Sequence, residues 1–386
     1  MQAIVANRMR SVLTTLGVVI GVLSVVLLVA IGQGARTEIT GVIEGLGSNL
    51  LFVLPGDGDF GAAPTRSRFT AEDVELIDRA LPGDDERAAG YVIGGETVQA
   101  DGQRVTANVF GVTASYPTVV SRAIGRGQPI TESDVVTGRR VALLAAGTAD
   151  ELFPGQDPIG RTLTIGSIRF RVLGVLERVG GTAFGPDRDR QVLIPISAGQ
   201  RLFGTNRVDA IFVRADSTDT IDSDRATIES VLAERFAPED FSVLSQDEII
   251  GVVGDILQIL TLVLAAIAGI SLLVGGVGVS NIMLVSVSER TREIGLRKAV
   301  GARTRDITAQ FLLEAIMLTG FGGLVGLAAG VGLAELVAVF APIPAEVTWW
   351  SIALALGVSV GVGLVFGVLP ARRAGRLDPV EALRHD

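Results

Sequence analysis

The chain has 386 residues, 48% of them hydrophobic, with a mean hydropathy of +0.49, a net charge of −9 and no cysteine. Disulfides, thiolate metal sites and cysteine nucleophiles are thereby excluded. The acidic balance gives no reason to expect a nucleic-acid partner.

The apolar excess is concentrated. No charge occurs in residues 11–35, 256–288, 315–334 or 347–371, windows of 25, 33, 20 and 25 residues. A helix needs about 20 apolar residues to cross the hydrocarbon core, so each window is long enough to span. The first follows Arg8 and Arg10, as a signal peptide would. Its apolar stretch exceeds the usual length of about 7–15 residues and no small-x-small cleavage site follows, so it reads as a retained anchor.

After this span, "ARTEITGVIEGLGSNLL" sets Ile39, Val42, Ile43 and Leu46 on one helical face. Before the second, "SQDEIIGVVGDILQIL" does the same with Ile249, Val252, Val253, Ile256 and Ile259. The two together are expected to form a helical stalk. Between them the pattern is mixed. Thr70 and Asp73 start a helix over "TAEDVELIDRA". Alternation around Asp101-Gly102 and around Gly166-Ser167 predicts two hairpins. "VDAIFVRA" reads as a strand, and "TIDSDRATIESVLAERF" as a helix with Ile221, Ile228, Val231 and Leu232 inward. "DGDFGAAPTRSR" and "VGGTAFGPDRDR" read as loops, and the acidic runs Asp84-Asp85-Glu86 and Asp187/Asp189 as solvated.

Within the spans, glycines recur at four-residue spacing: Gly17 and Gly21, Gly322, Gly326 and Gly330, Gly357 and Gly361, then Gly363 and Gly367. Gly275 and Gly276 fall in the "GGVG" of span two. Such residues let helix backbones approach closely in lipid, within the chain or between two copies. Ionisable groups are confined to span ends (Asp255, Glu314, Glu335), unlike an ion-coupled transporter with acids at the midplane.

Charge also sets orientation. Residues 1–10 carry two cations and no acids, 289–306 six against three, and 372–386 four against three, whereas 34–250 carry 21 against 32. Cytoplasmic flanks are rich in Lys and Arg, so both termini and residues 289–306 are expected inside and the large region outside. Trp349 and Trp350, opening span four, fit an outer aromatic belt.

Residues 286–307, "SVSERTREIGLRKAVGARTRDI", hold six cations, including Lys298, the one lysine of the chain. As a helix the segment pairs Glu293 with Arg297 at i, i+4, lines up Leu296 and Val300, and ends at Gly301. Lys298 lies outside any G-x-x-x-x-G-K-[ST] loop, so these residues contain no nucleotide site of that kind. The only histidine is His385, which leaves no partner for a serine nucleophile.

"SERTREIGLRKAVGART" resembles the signature of the MacB/FtsX-like permease family of ABC transporters. So do "NRMRSVLTTLGVVIGVLSVVLLVAIGQGAR", "LFPGQDPIGRTLTIGSIRFRVLGVLE", "VLIPISAGQRLFG" and "LPARRAGRLDPVEALRHD". The resemblance implies an α-helical four-span transmembrane domain plus an α+β extracytoplasmic domain on a helical stalk. Residues 1–47 would hold span one and its stalk helix, 48–245 the outer domain, and 246–386 the remaining spans and tail. The outer domain would divide into a porter-like part (about 48–112 and 206–245) and a Sabre-like insertion (about 113–205). It further implies a coupling helix over 289–301, of which Glu289, Arg290, Glu293, Ile294, Gly295, Leu296, Arg297, Lys298, Val300 and Gly301 are the candidate contacts. This helix would receive motion from an ABC ATPase, expected as a separate subunit that binds ATP and magnesium, with no cofactor in this chain. The other implied partners are a second permease copy, membrane lipid and, in an export assembly, a periplasmic adaptor. The expected function is a non-catalytic permease subunit of the cell membrane, extruding a hydrophobic or peptide-like substrate. Control of an extracytoplasmic partner such as a cell-wall hydrolase, and lipoprotein release, are the alternatives.

Overall fold

The computed structural model describes residues 8–47, 49–58, 67–83, 85–180, 187–340 and 345–384. Most of the two loop segments read from the sequence, and Asp84, lie outside the described residues. The chain divides into two compact units, one of residues 1–37 and 254–386, the other of residues 38–253.

The second unit is α/β. It holds β1 (Leu50–Pro55), α2 (Ala71–Ala80), β2 (Ala88–Ala100), β3 (Gln103–Val112), α3 (Tyr116–Val119), β4 (Ile124–Gly127), α4 (Glu132–Thr137) and β5 (Val141–Leu144). There follow α5 (Ala146–Leu152), β6 (Thr162–Ile165), β7 (Ile168–Leu176), β8 (Gln191–Pro195), α6 (Ile196–Phe203), β9 (Ala210–Arg214), α7 (Ile221–Ala233) and β10 (Phe241–Ser245). Ten strands form one sheet in the order β10-β1-β9-β2-β3-β8-β5-β7-β4, with β6 bridging β2 and β7. The β2–β3 hairpin turns at Asp101 (φ 48°) and Gly102 (φ 83°), the left-handed pair that a two-residue type I′ turn demands. The β6–β7 hairpin turns at Gly166 (φ 57°) as the alternation predicts.

The helix α2 begins as its sequence suggests: the Thr70 main-chain N–H donates to Asp73 at 2.7 Å. In α7, Ile228 and Leu232 are buried, and so is Asp224, which sequence periodicity leaves on the polar side. Asp224 accepts from the buried Arg87 guanidinium, so a buried charge has its partner. Asp189 also departs from the solvated reading. It is buried, accepts from the Val179 and Gly180 N–H groups at 3.0 and 2.8 Å, and lies 3.7 Å from Arg122.

The other unit is helical. Among the described residues, four helices are long and apolar enough to cross a membrane: α1 (Arg8–Glu44), α8 (Gln246–Glu289), α10 (Thr304–Phe340) and α11 (Trp349–Arg376). Between α8 and α10 lies α9 (Thr291–Ala299), and α12 (Pro379–Arg384) follows α11. Both α1 and α8 run unbroken through their apolar lead-ins. Ile43 is buried and Ile249 packs on the cluster that holds Phe52, Tyr116 and Phe212, whereas Ile256 and Ile259 are exposed.

Small residues decide how the spans pack. A Cβ on Gly17 would come 2.9 Å from the Gly275 Cα, so α1 and α8 cross there backbone to backbone. Gly21 faces the Leu272 side chain, Gly276 the Phe366 ring, and Gly322 the Val18 side chain at 3.5 Å, while a Cβ on Gly326 would come 2.7 Å from the Val19 carbonyl. A Cβ on Gly357 or Gly361 would meet nothing within 4 Å, so neither takes part in packing within the chain. The packed face of α11 is the neighbouring line Ser351, Ala355, Ser359, Gly363, Gly367 and Ala371, all small and all buried. It lies against Ala315, Thr319 and Gly323 of α10, where the Ser359 hydroxyl donates to the Thr319 carbonyl at 2.6 Å.

Candidate coupling segment

The turn between α8 and α9 is made at Arg290, whose φ of −105° and ψ of 17° leave the helical region. Glu289 therefore closes α8, and the expected helix is Thr291–Ala299. Arg290 is held back onto α10 by Glu314 at 3.2 Å. At the other end Gly301 has φ 109°, which stops the helix before Val300 and Gly301 can join it, and its N–H donates to the Lys298 carbonyl at 3.0 Å. Asp306 then accepts the Arg303 N–H at 3.0 Å and caps α10.

Three sides of α9 differ in chemistry. Ile294 and Gly295 are buried. A Cβ on Gly295 would come 2.8 Å from the Ala382 Cβ of α12, so only glycine admits this contact. The pair expected at i, i+4 is present, with Arg297 to Glu293 at 2.6 Å, and Arg297 also reaches the Gln310 amide oxygen at 3.3 Å. Leu296 and Val300 point outward at 59% and 85% exposure. They line a shallow groove of about 450 Å³ with Ala302, Asp306 and Ile307. Lys298 turns the opposite way and donates to the carbonyls of Gly375 and Leu377, both at 2.7 Å. Nothing in the local pattern gave that contact away; the one available signal was a solitary lysine in an arginine-rich chain.

Residues 11–231 match the MacB-like periplasmic core domain, and residues 265–379 the FtsX-like permease C-terminal domain. An uncharacterised ABC transporter permease, YknZ of Bacillus subtilis, is 36% identical over 394 residues, covering 100% of this chain and 98% of its own. The chain belongs to the MacB/FtsX-like family of ABC transporter permeases. The macrolide export ATP-binding/permease protein MacB of Azoarcus sp. is 40% identical over 99% of this chain, and the chain spans 58% of that relative's length. Among solved structures, the periplasmic region of MacB from Actinobacillus actinomycetemcomitans aligns over 55% of this chain and 95% of its own, with a TM-score of 0.46 and 20% identity. The extracellular domain of YknZ from Gram-positive bacteria covers 51% of this chain and 100% of its own, with a TM-score of 0.43 and 21% identity.

The FtsX-like match runs from within α8 to α12 and so includes α9 and both of its flanking turns. This permease family member is thus a membrane protein with four spans and an α/β domain between the first two.

Proposed function

We propose that the chain is the non-catalytic transmembrane part of an ABC exporter, whose α9 receives movement from an ABC ATPase domain lying outside these 386 residues. The observation that carries this is the division of labour on α9. One face is fastened to α12 and the end of α11, while Leu296 and Val300 stand exposed over an open groove. A helix that merely enforced orientation would need charge but no exposed apolar pair. ATP and magnesium are handled by the ATPase. The charge balance supports α9 and both termini on the cytoplasmic side and residues 38–253 outside. Movement of α9 would be passed through the spans to the outer domain, and two copies would act together. The export named for the MacB relatives, and the charge-free spans, favour extrusion of a hydrophobic or peptide-like substrate from the outer side, with a periplasmic adaptor as a partner there.

The experiment is co-purification with the native ATPase. Leu296→Asp combined with Val300→Asp leaves the buried face of α9 intact and puts two charges in the groove. The pair should insert normally and lose ATPase binding or the permease's effect on hydrolysis. Normal binding and normal hydrolysis with both substitutions in place would reduce α9 to a charged anchor.

A further inference from the structure

The chain has 33 cationic side chains and only one is a lysine. That lysine lies on α9 outside the groove and is bound to the end of α11. Gly375 lies in the last turn of α11 and Leu377 just beyond it, where helix carbonyls lack partners of their own. A cation placed there also meets the negative end of the helix dipole. Leu377 has left the helical region (φ −56°, ψ 132°), so its carbonyl is not held parallel to that of Gly375. A compact ammonium with three rotatable donors can serve two carbonyls so related, whereas the flat guanidinium fork suits a coplanar pair. The Gly295–Ala382 contact fastens the same face of α9 at a second point. Ala382 is in turn set by its own N–H donating to the Asp378 carbonyl at 2.9 Å.

We infer that Lys298 is a positioning residue that clips α9 to the C-terminal end of α11, so that displacement of α9 is delivered directly to the fourth span. Without the clip, movement of α9 would reach the spans along the chain, through α8 and α10, and through the Arg290–Glu314 and Arg297–Gln310 contacts on α10, with no polar tie to the end of α11. With it, α11 moves with α9, and α10 follows through the small-residue seam at Ser359, Gly363 and Gly367. The inference rests on reading α9 as the segment that receives ATPase movement, but the clip itself can be measured without any ATPase.

Because no other lysine exists, an amine-acylating reagent reports on this side chain directly. In the full chain carrying Arg292→Lys, the introduced amine sits on the exposed side of the same helix and serves as an internal standard. With N-hydroxysuccinimide acetate and peptide mass spectrometry, Lys298 should acylate about tenfold more slowly than the amine at position 292, as two charge-assisted hydrogen bonds require. Equal rates would overturn the clip. The second arm uses the chain assembled with its ATPase. Lys298→Met and Lys298→Arg should keep ATPase binding and lose the permease's effect on hydrolysis. Unchanged coupling in Lys298→Met would overturn the positioning role. Slow acylation together with normal ATPase binding by the Leu296→Asp, Val300→Asp pair would instead leave the clip standing and overturn the ATPase reading.

Discussion

Arg188 Nη1 donates to the main-chain carbonyl of Gly45 at 2.9 Å, one residue past the end of α1. The Arg188 carbonyl in turn accepts Arg122 Nη2 at 2.8 Å, while Arg122 Nη1 reaches the Glu177 carbonyl at 2.9 Å. Burial pulls the Arg188 guanidinium below its ordinary range, with Tyr116 and Asp189 opposing. Beside this contact, Gly47, Asn49 and Ser121 all take positive φ (111°, 63° and 48°), and Arg214 Nη2 reaches the Ser121 hydroxyl at 2.7 Å. The entry from α1 into the sheet is therefore a strained turn held by arginines from elsewhere in the fold.

Arg188→Met should destabilise this entry by about 1.5–3 kcal/mol, since it strips a charged donor from a helix-end carbonyl. Hydrogen exchange of the Gly45–Gly47 amides in the full chain in detergent should rise accordingly. The exposed neighbour Arg190, changed to Met, should shift stability by less than about 0.5 kcal/mol. Equal effects at the two positions would show that the Gly45 contact contributes nothing.

The seam between α10 and α11 gives a paired test. A Cβ on Gly363 would collide with the Thr319 hydroxyl and come 3.0 Å from the Ile316 Cα, which is backbone and cannot swing aside. Gly363→Ala should cost about 1–3 kcal/mol through overpacking. Gly357→Ala, with nothing within 4 Å, should be neutral or slightly stabilising by helix propensity. Thermal unfolding of the two variants in detergent checks this, and a loss at Gly357 matching that at Gly363 would contradict the packing.

That contrast also marks where the sequence stops being informative. The four spans were legible because charge is absent over a whole bilayer thickness, and the hairpin at Asp101-Gly102 because its turn chemistry is local. Both glycine pairs of α11, Gly357/Gly361 and Gly363/Gly367, were legible as packing candidates, but they have the same spacing and only the neighbouring helix shows which one packs within the chain. The burial of Asp224 had no local sign, because its partner Arg87 lies 137 residues away. The outline of α9 was legible from Glu293, Arg297 and Gly301, whereas the direction of Lys298 depends on a helix end more than 75 residues downstream. Contacts of that range leave no trace in local periodicity.

Glu248 provides a pH-dependent test. It sits in the first turn of α8, accepts the Ser245 N–H at 2.7 Å, and pairs with Arg225 through two bonds of 3.0 and 2.5 Å. The hydrogen bond from Arg225 holds its carboxyl below the ordinary glutamate range, against the effect of desolvation. A carboxylate depressed in the folded state contributes its stability in full above its unfolded pKa, about 4.3, and loses it as pH falls through the folded value. Stability should therefore drop more steeply in the native chain than in Glu248→Gln as pH is lowered below about 5. The pair is partly exposed, so the difference should stay under about 1 kcal/mol. Parallel pH profiles for the two proteins would remove the pair from the acid response.

Orientation can be read with cysteines, because the chain has none of its own. Val136 is 78% exposed in the α/β unit and Val380 is 67% exposed in α12. Neither side chain supports the core, so Val136→Cys and Val380→Cys should each fold normally. The proposed orientation, drawn from 21 cations against 32 acids over residues 34–250 and the reverse excess around α9 and the tail, would have the first outside and the second inside. A membrane-impermeant maleimide should label Val136→Cys in intact cells. It should label Val380→Cys only after the membrane is opened. Any reading in which α9 meets a cytoplasmic ATPase requires this pattern, since α12 packs on α9 through Ala382 and Gly295 and must lie on the same side. Labelling of Val380→Cys in intact cells would put α9 on the outside and end the coupling hypothesis, whatever its ATPase experiments had shown.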